Sequence, residues 1–257
     1  MKLDFVVLIQ ARCGSSRFPQ KVLMELGEKP VILKVIERVK KSKRIDDLFV
    51  ITSIDKNNLP LIKICSENNV RVFVGSEDDV LDRYYQCARL LNANYIVRIT
   101  ADCPVFDWRY LDSAIEIVKS NGDIDYLGDF NETFPDGLDI EIVKFSALQY
   151  AWENAKLQSE REHVTLFIKN NRSLFDIANM SSKIENISHH RWTLDENEDY
   201  ELLCKIYEHF ISIKKEDFVT EDILDFLNSN PDLVKINSMY ARNEGLAKSL
   251  EGDKCSK

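Results

Sequence analysis

The chain opens on an uninterrupted apolar run, Phe5 to Ile9. A strand wetted on one face alternates apolar and polar residues, so a continuous run predicts a strand covered on both faces. A polar loop, 12–20, follows. Val31, Leu33, Val35, Ile36 and Val39 then recur at helical spacing and predict a helix over 31–43. The alternation continues with a strand at 48–51, a helix at 58–69 that tolerates Pro60 in its first turn, and a strand at 70–74. A helix at 78–91 opens on acids that suit its dipole, and a strand at 95–99 and a helix at 108–119 complete this half. That order, βαβαβαβα, predicts a parallel sheet with helices on both faces. The second half is mixed. Strands near 124–128 and 139–143 flank the turn Pro135-Asp136-Gly137. Helices at 145–155 and 160–170, strands at 174–180 and 190–194, and a helix at 197–211 come next. Helices at 220–228 and 240–250 and a frayed tail, 251–257, close the chain. Linkers, repeats and low-complexity segments are lacking, so a single domain is expected over 1–235, with a helical segment over 213–250.

Composition narrows the function classes. Hydrophobic residues make up 44% and charged residues 30% of the 257 positions, enough to build a core. No run of about 18 apolar residues predicts a membrane-spanning helix. Asp4 interrupts the first apolar stretch, and Gln10 and Arg12 end it without a small-residue cleavage site, so a signal peptide is not expected. The six cysteines (13, 65, 87, 103, 204, 255) form no CxxC pair, which fits free thiols in a reducing cytoplasm. The net charge of −9 disfavours a broad nucleic-acid surface. A polyanionic substrate would need a local basic pocket against that field. The four histidines (163, 189, 190, 209) form no HExxH, against a metallohydrolase.

In open α/β sheets, ligands sit beyond the C-terminal ends of the strands. The first such end carries Gln10-Ala11-Arg12-Cys13-Gly14-Ser15-Ser16-Arg17-Phe18-Pro19-Gln20-Lys21. Gly14, Ser15 and Ser16 suit a backbone concavity for anions, and Arg12, Arg17 and Lys21 suit phosphate oxygens. The stretch is neither a Walker A motif nor GxGxxG. Two further strand ends carry Asp102 and Asp195. A turn or N-cap role competes for each. Lying side by side, the pair could hold one Mg²⁺ that also binds triphosphate oxygens.

The loop resembles the signature of the sugar-acid cytidylyltransferases, a group that includes the CMP-Kdo and CMP-sialic acid synthetases, and looks most like the SpsF-type branch. Four later segments are similar to that branch in the same order: Arg98 to Pro104, Phe134 to Glu141, Glu160 to Val164, and Arg191 to Asp195 with Glu198-Asp199-Tyr200. The resemblance implies a single-domain, Rossmann-like nucleotidyltransferase fold of the GT-A-like kind with a mostly parallel sheet. It implies a nucleotide-binding half, 1–122, and an acceptor-binding half, 123–212. It also implies that Asp102 and Asp195 are the metal ligands, that CTP is the donor, and that CMP passes to an acidic or phosphorylated sugar in surface polysaccharide or glycan biosynthesis.

The candidate catalytic residues are therefore Arg12, Arg17, Lys21, Asp102 and Asp195. Ile9, Gln10, Ala11, Gly14, Ser15, Ser16, Gly75, Ser76, Thr100 and Ala101 join the cations in nucleotide binding. The segment around Gly75 departs from the Kdo and sialic acid enzymes, and Glu77, Asp78, Asp79 and Asp82 read as helix-start acids. Asp139, Glu141, Glu162, His163 and Arg191 are candidates for an anionic acceptor. Arg191, at the far end of an extended strand from Asp195, would have its Cα roughly 13 Å away; a structural ion-pair role is its alternative. A homodimer is expected, with 129–135 and 160–170 as contact candidates. Rival readings are a sugar-1-phosphate nucleotidyltransferase, a glycosyltransferase using Asp123-Ile124-Asp125 as a metal motif, and a non-catalytic nucleotide-binding module. The Asp123 motif precedes a strand and so falls on the wrong end.

Overall fold

The computed structural model describes residues 3–15 and 17–255, the side chains of 254 and 255 excepted. Its centre is β1 (Leu3–Gln10). After the polar loop, a 3-10 turn (Lys21–Leu23) leads through a small hairpin, β2 (Glu25–Leu26) and β3 (Lys29–Pro30), into α1 (Val31–Val39). Then come β4 (Asp47–Ser53), α2 (Leu59–Glu67), β5 (Arg71–Gly75), α3 (Val80–Leu91), β6 (Ala93–Thr100) and α4 (Trp108–Ser120). The second half holds β7 (Tyr126–Gly128), β8 (Glu141–Lys144), α5 (Phe145–Asn154), α6 (Gln158–Glu162), α7 (Leu166–Asn170) and β9 (Ile177–Asn179). Four helices finish it: α8 (Asn197–Ser212), α9 (Thr220–Ser229), α10 (Pro231–Val234) and α11 (Glu244–Cys255).

The sheet order is β5-β4-β1-β6-β8-β7-β9. All pairings are parallel except those of β8, which runs against β6 and β7. Alternation along β1 explains its apolar run. Phe5, Val7 and Ile9 face a core shared with α1, α2, α4, α8 and α9, whereas Val6 and Leu8 face α3, α5 and α7. Each of the five is at most 1% exposed. In register, Gln10 stands beside Ile51 on one side and Thr100 on the other. The C-terminal ends of β1, β4 and β6 thus form one edge, where the first loop and Asp102 emerge.

The second half departs from expectation in several places. The helix expected over 160–170 is two short helices, broken at Val164, whose φ of 47° no β-branched residue adopts readily. Burial fixes the break: Val164 is in the core, and the Thr165 hydroxyl donates to Glu141 at 2.8 Å. The strand expected at 190–194 is absent as a ladder. Its backbone donors go singly to loop carbonyls, Trp192 N–H to Asp136 (2.7 Å) and Leu194 N–H to Asp102 (2.8 Å), leaving one isolated bridge between Asp136 and Arg191. Gly137 (φ 104°) allows that approach, since a Cβ there would lie 2.6 Å from Thr193 N. The strand expected over 174–180 shortens to 177–179. Residues 251–255 of the expected frayed tail are helical, anchored where Asp253 accepts the Ser159 hydroxyl (2.5 Å).

Candidate functional site

The loop after β1 is a closed ring. Ala11 N–H donates to the Ile51 carbonyl (3.0 Å), and the Gln10 carbonyl accepts from Ala101 N–H (2.9 Å). Asn58 accepts Cys13 N–H (2.8 Å), and Gln20 N–H returns to the Cys13 carbonyl (3.0 Å). Gln20, left-handed at φ 59°, turns the chain inward, and Lys21 is buried as a result. Ser16 lies outside the described residues.

Lys21 Nζ stands between the two candidate carboxylates, 2.7 Å from Asp102 Oδ2 and 2.6 Å from Asp195 Oδ1. Arg17 reaches Asp195 Oδ2 at 2.8 Å, with Glu196 at 3.5 Å and Glu244 at 3.4 Å. The contact between Leu194 and Asp102 brings the two acid-bearing segments together. Asp195 is not the helix cap: Glu196 holds that position, and Asp199 accepts the N–H groups of Asp195 and Glu196, both at 2.9 Å. The Asp195 carboxylate is left for the site. Burial alone would raise Asp102, but Lys21 outweighs it and holds the carboxyl at about 2. Burial opposes the charge of Lys21 too, and the two aspartates raise it in turn.

Two adjoining cavities meet at Asp102 and Asp195. One, of about 330 Å³, is lined by Gln10, Ala11, Arg12, Ser15, Arg17, Lys21, Thr100 and Ala101 from the expected nucleotide set. Gln10 Oε1 is buried without a partner among the described residues, so a donor on a ligand would satisfy it. Ile9, Gly14, Gly75 and Ser76 line neither cavity. Ile9 is core, Gly14 is exposed, and the Ser76 carbonyl is held by buried Arg83 (2.8 Å). Asp79 caps α3 by accepting Asp82 N–H (2.8 Å), as helix-start acids should.

The second cavity, of about 280 Å³, is lined by His163 and Arg191 from the acceptor set; Glu162 faces the first. Arg191 grips Asp199 with two bonds (2.8 and 2.9 Å) and Asp136 with a third (2.8 Å). Because 190–194 is not an extended ladder, its guanidinium comes within 3.6 Å of Asp195. Asp139 is exposed, pairs with Arg242 and lines neither cavity. Glu141 lies beneath the second cavity, bound by Arg98 (2.6 Å), Lys169 (2.7 Å), Thr165 (2.8 Å) and Tyr126. Burial alone would raise Glu141, but Lys169 and Arg98 reverse that and hold it far below the ordinary glutamate value of 4.5. A depressed carboxyl stabilises the fold fully above its unfolded pKa and loses that contribution as pH falls through the folded one. Acid unfolding followed by circular dichroism should therefore show E141Q less stable than wild type above pH 4.5, with the difference shrinking below it. A constant difference at every pH would contradict the pairing.

Sequence reasoning misses several other lining residues. Arg98, Asp136, Thr165, Lys169, Asn243 and Glu244 line the second cavity, and Lys248 and Ser249 the first. Arg98 and Asp136 do fall inside the family-like segments, and Arg98 shares the strand parity of Asp102. Two carboxylates arranged around a cation suit a small hard ion, which commonly takes one or two protein carboxylates and completes its shell with water and phosphate oxygens. Asp123 bonds Lys144 (2.5 Å), and Asp125 accepts Asp176 N–H (3.0 Å). Both precede β7, at the edge of the sheet away from the cavities. No helix among the described residues is long and apolar enough to cross a membrane.

Comparison with known proteins shows what the whole chain is similar to. The chain is 38% identical to an uncharacterized protein of Methanocaldococcus jannaschii over 240 residues, 92% of this chain and 95% of that one. It is 32% identical to the spore coat polysaccharide biosynthesis protein SpsF of Bacillus subtilis, over 89% of this chain and 96% of that one. A cytidylyltransferase structure from Leptospira borgpetersenii superposes with a TM-score of 0.85 at 32% identity, covering 92% of this chain and 99% of that one. Residues 6–228 match the protein family described as Cytidylyltransferase, and the chain belongs to that family.

Proposed function

We propose that the protein transfers CMP from CTP to an acidic or phosphorylated sugar-like acceptor and releases pyrophosphate. The observation that carries this reading is the Lys21 ammonium bridging Asp102 and Asp195 where the two cavities meet. The family description supports the cytidyl donor. The name of the Bacillus relative supports a sugar-polymer setting.

Nucleotidyl transfer is an in-line displacement. An acceptor oxygen attacks the α-phosphorus, the bond to the pyrophosphate oxygen breaks, and the acceptor proton passes to a base. Such a reaction depends on positioning and charge neutralisation. Arg12, Arg17 and Lys21 would bind the phosphates and stabilise the departing pyrophosphate. Asp102 and Asp195 would hold Mg²⁺, which when bound supplies charge neutralisation at the phosphate oxygens. Arg98 and Lys169, at the second cavity, would draw in an anionic acceptor. Asp136 lines the second cavity and would serve as proton acceptor: burial and neighbouring Asp139 raise it to about 6 against the pull of Arg191 and Arg242. It would be ionised yet basic near neutral pH. A phosphate acceptor needs no such base.

Pyrophosphate release measured with each of the four nucleoside triphosphates and a panel of sugar acids and sugar phosphates tests the reading. CTP should be used and the other three should not. Release with all four, or with none of the acceptors, would overturn it. In titration calorimetry, K21A should bind CTP about tenfold or more weakly, the value of one charge-assisted bond. R17A should follow to a smaller degree, because Arg17 is shared among three carboxylates. Unchanged affinity in both would remove the loop from the nucleotide site. A homodimer belongs to the same proposal; light scattering should return twice the chain mass.

A further inference from the structure

The family match ends at residue 228, yet the nucleotide cavity is partly walled by α11, which starts at Glu244. Gly245, Lys248 and Ser249 line that cavity. Their i, i+3, i+4 spacing puts them on one helical face. Polar contacts dock the helix there at both ends and in the middle. Glu244 meets Arg17 at 3.4 Å, Ser249 Oγ lies 3.0 Å from His163 Nε2 and 2.8 Å from Glu162, and Asp253 accepts the Ser159 hydroxyl at 2.5 Å.

The cations around this cavity are not equivalent. Lys21 and Arg17 are already neutralised by carboxylates. Lys248 is exposed, and among the described residues it has no carboxylate partner. On its own helix Glu244, four residues earlier, is turned toward Arg17.

We propose that Lys248 is a phosphate-binding residue of the nucleotide site, so that α11 forms part of that site and closes against a bound nucleoside triphosphate. The ammonium donates to a phosphate oxygen, a bond that carries charge on both sides, and Gly245 leaves room beside it. This inference rests on the nucleotide-site reading above, and the controls separate the two.

The test measures CTP affinity by titration calorimetry in the presence of Mg²⁺ for wild type, K248A, K248R and K21A. K248A should bind CTP about tenfold more weakly, and K248R should stay within about threefold of wild type, since both cations donate to phosphate. The melting temperature of K248A should match wild type, because an exposed, unpaired lysine holds no structure in place. CTP should also slow amide hydrogen exchange across 244–255 in wild type and less so in K248A. Wild-type affinity in K248A alongside weakened binding in K21A would overturn the role of Lys248 while leaving the nucleotide site standing. Exchange in 244–255 that ignores CTP would likewise overturn it. Absence of CTP binding in the wild type would remove the nucleotide-site reading and this inference together.

Discussion

Replacing Asp102 or Asp195 with Asn is expected to lower kcat/KM for pyrophosphate release about a thousandfold while leaving the protein folded. On the proposed reading each carboxylate acts through Mg²⁺, whose charge stabilisation is worth several kcal/mol in the transition state; about 4 kcal/mol corresponds to three decades in rate. Asparagine has nearly the same shape but loses the negative oxygen. The structural cost is limited by redundancy. In D102N, Lys21 keeps Asp195, and in D195N, Lys21 keeps Asp102 while Arg17 keeps Glu196 and Glu244. Thermal unfolding of both variants should therefore stay close to wild type. A rate within tenfold of wild type at ordinary Mg²⁺ would mean that the residue shapes the turn and no more. A collapsed melting temperature would mean that the pair is structural.

The second large effect is expected at Arg191, and it falls on stability. Asp199 is fully buried and accepts two bonds from Arg191, one from Asn237 (2.8 Å) and the N–H groups of Asp195 and Glu196. Removing the guanidinium in R191A leaves that carboxylate without its cation. Breaking a buried pair on one side typically costs about 3–5 kcal/mol. At about 2–4 °C per kcal/mol for a chain near this size, the melting temperature should fall by about 10 °C. R191A/D199N should recover part of the loss, because the stranded charge is gone. If R191A instead melts like wild type and raises only the acceptor KM, Arg191 is an acceptor anchor, as its residue type and place in the sequence suggest, and the network around Asp199 is incidental.

The case of Arg191 shows where the sequence is readable. The first half is legible because its central strand is covered on both faces and so prints a continuous apolar run, Phe5 to Ile9. Residues 190–194 print a similar signal, since Trp192 and Leu194 are wholly buried. Their backbone bonds, however, go to the Asp136 and Asp102 carbonyls, and periodicity carries no information about the partner of a backbone donor. The break at Val164 is hidden for a related reason: it depends on Thr165 reaching Glu141, a contact made across the fold. At the site, Arg12, Arg17 and Lys21 are visible because one short loop carries them all. Asp102 and Asp195 are visible as strand or segment ends. Glu244 and Lys248 come to the same place from a helix more than two hundred residues later in the chain, with a mostly polar sequence that offers no apolar stripe to predict its docking.

The ammonium between Asp102 and Asp195 bears on how an ion would arrive. Two carboxylates alone repel each other and reward any divalent ion that enters. Here the repulsion is already quenched by Lys21, so a bare ion would gain only the difference between its own attraction and that of the lysine it displaces. A nucleotide changes the exchange, since its phosphates offer Lys21 new oxygens and bring donors for the ion at the same moment. Occupancy by metal would then follow occupancy by nucleotide. The ion would behave as a passenger of the substrate, and the resting enzyme would be indifferent to chelators.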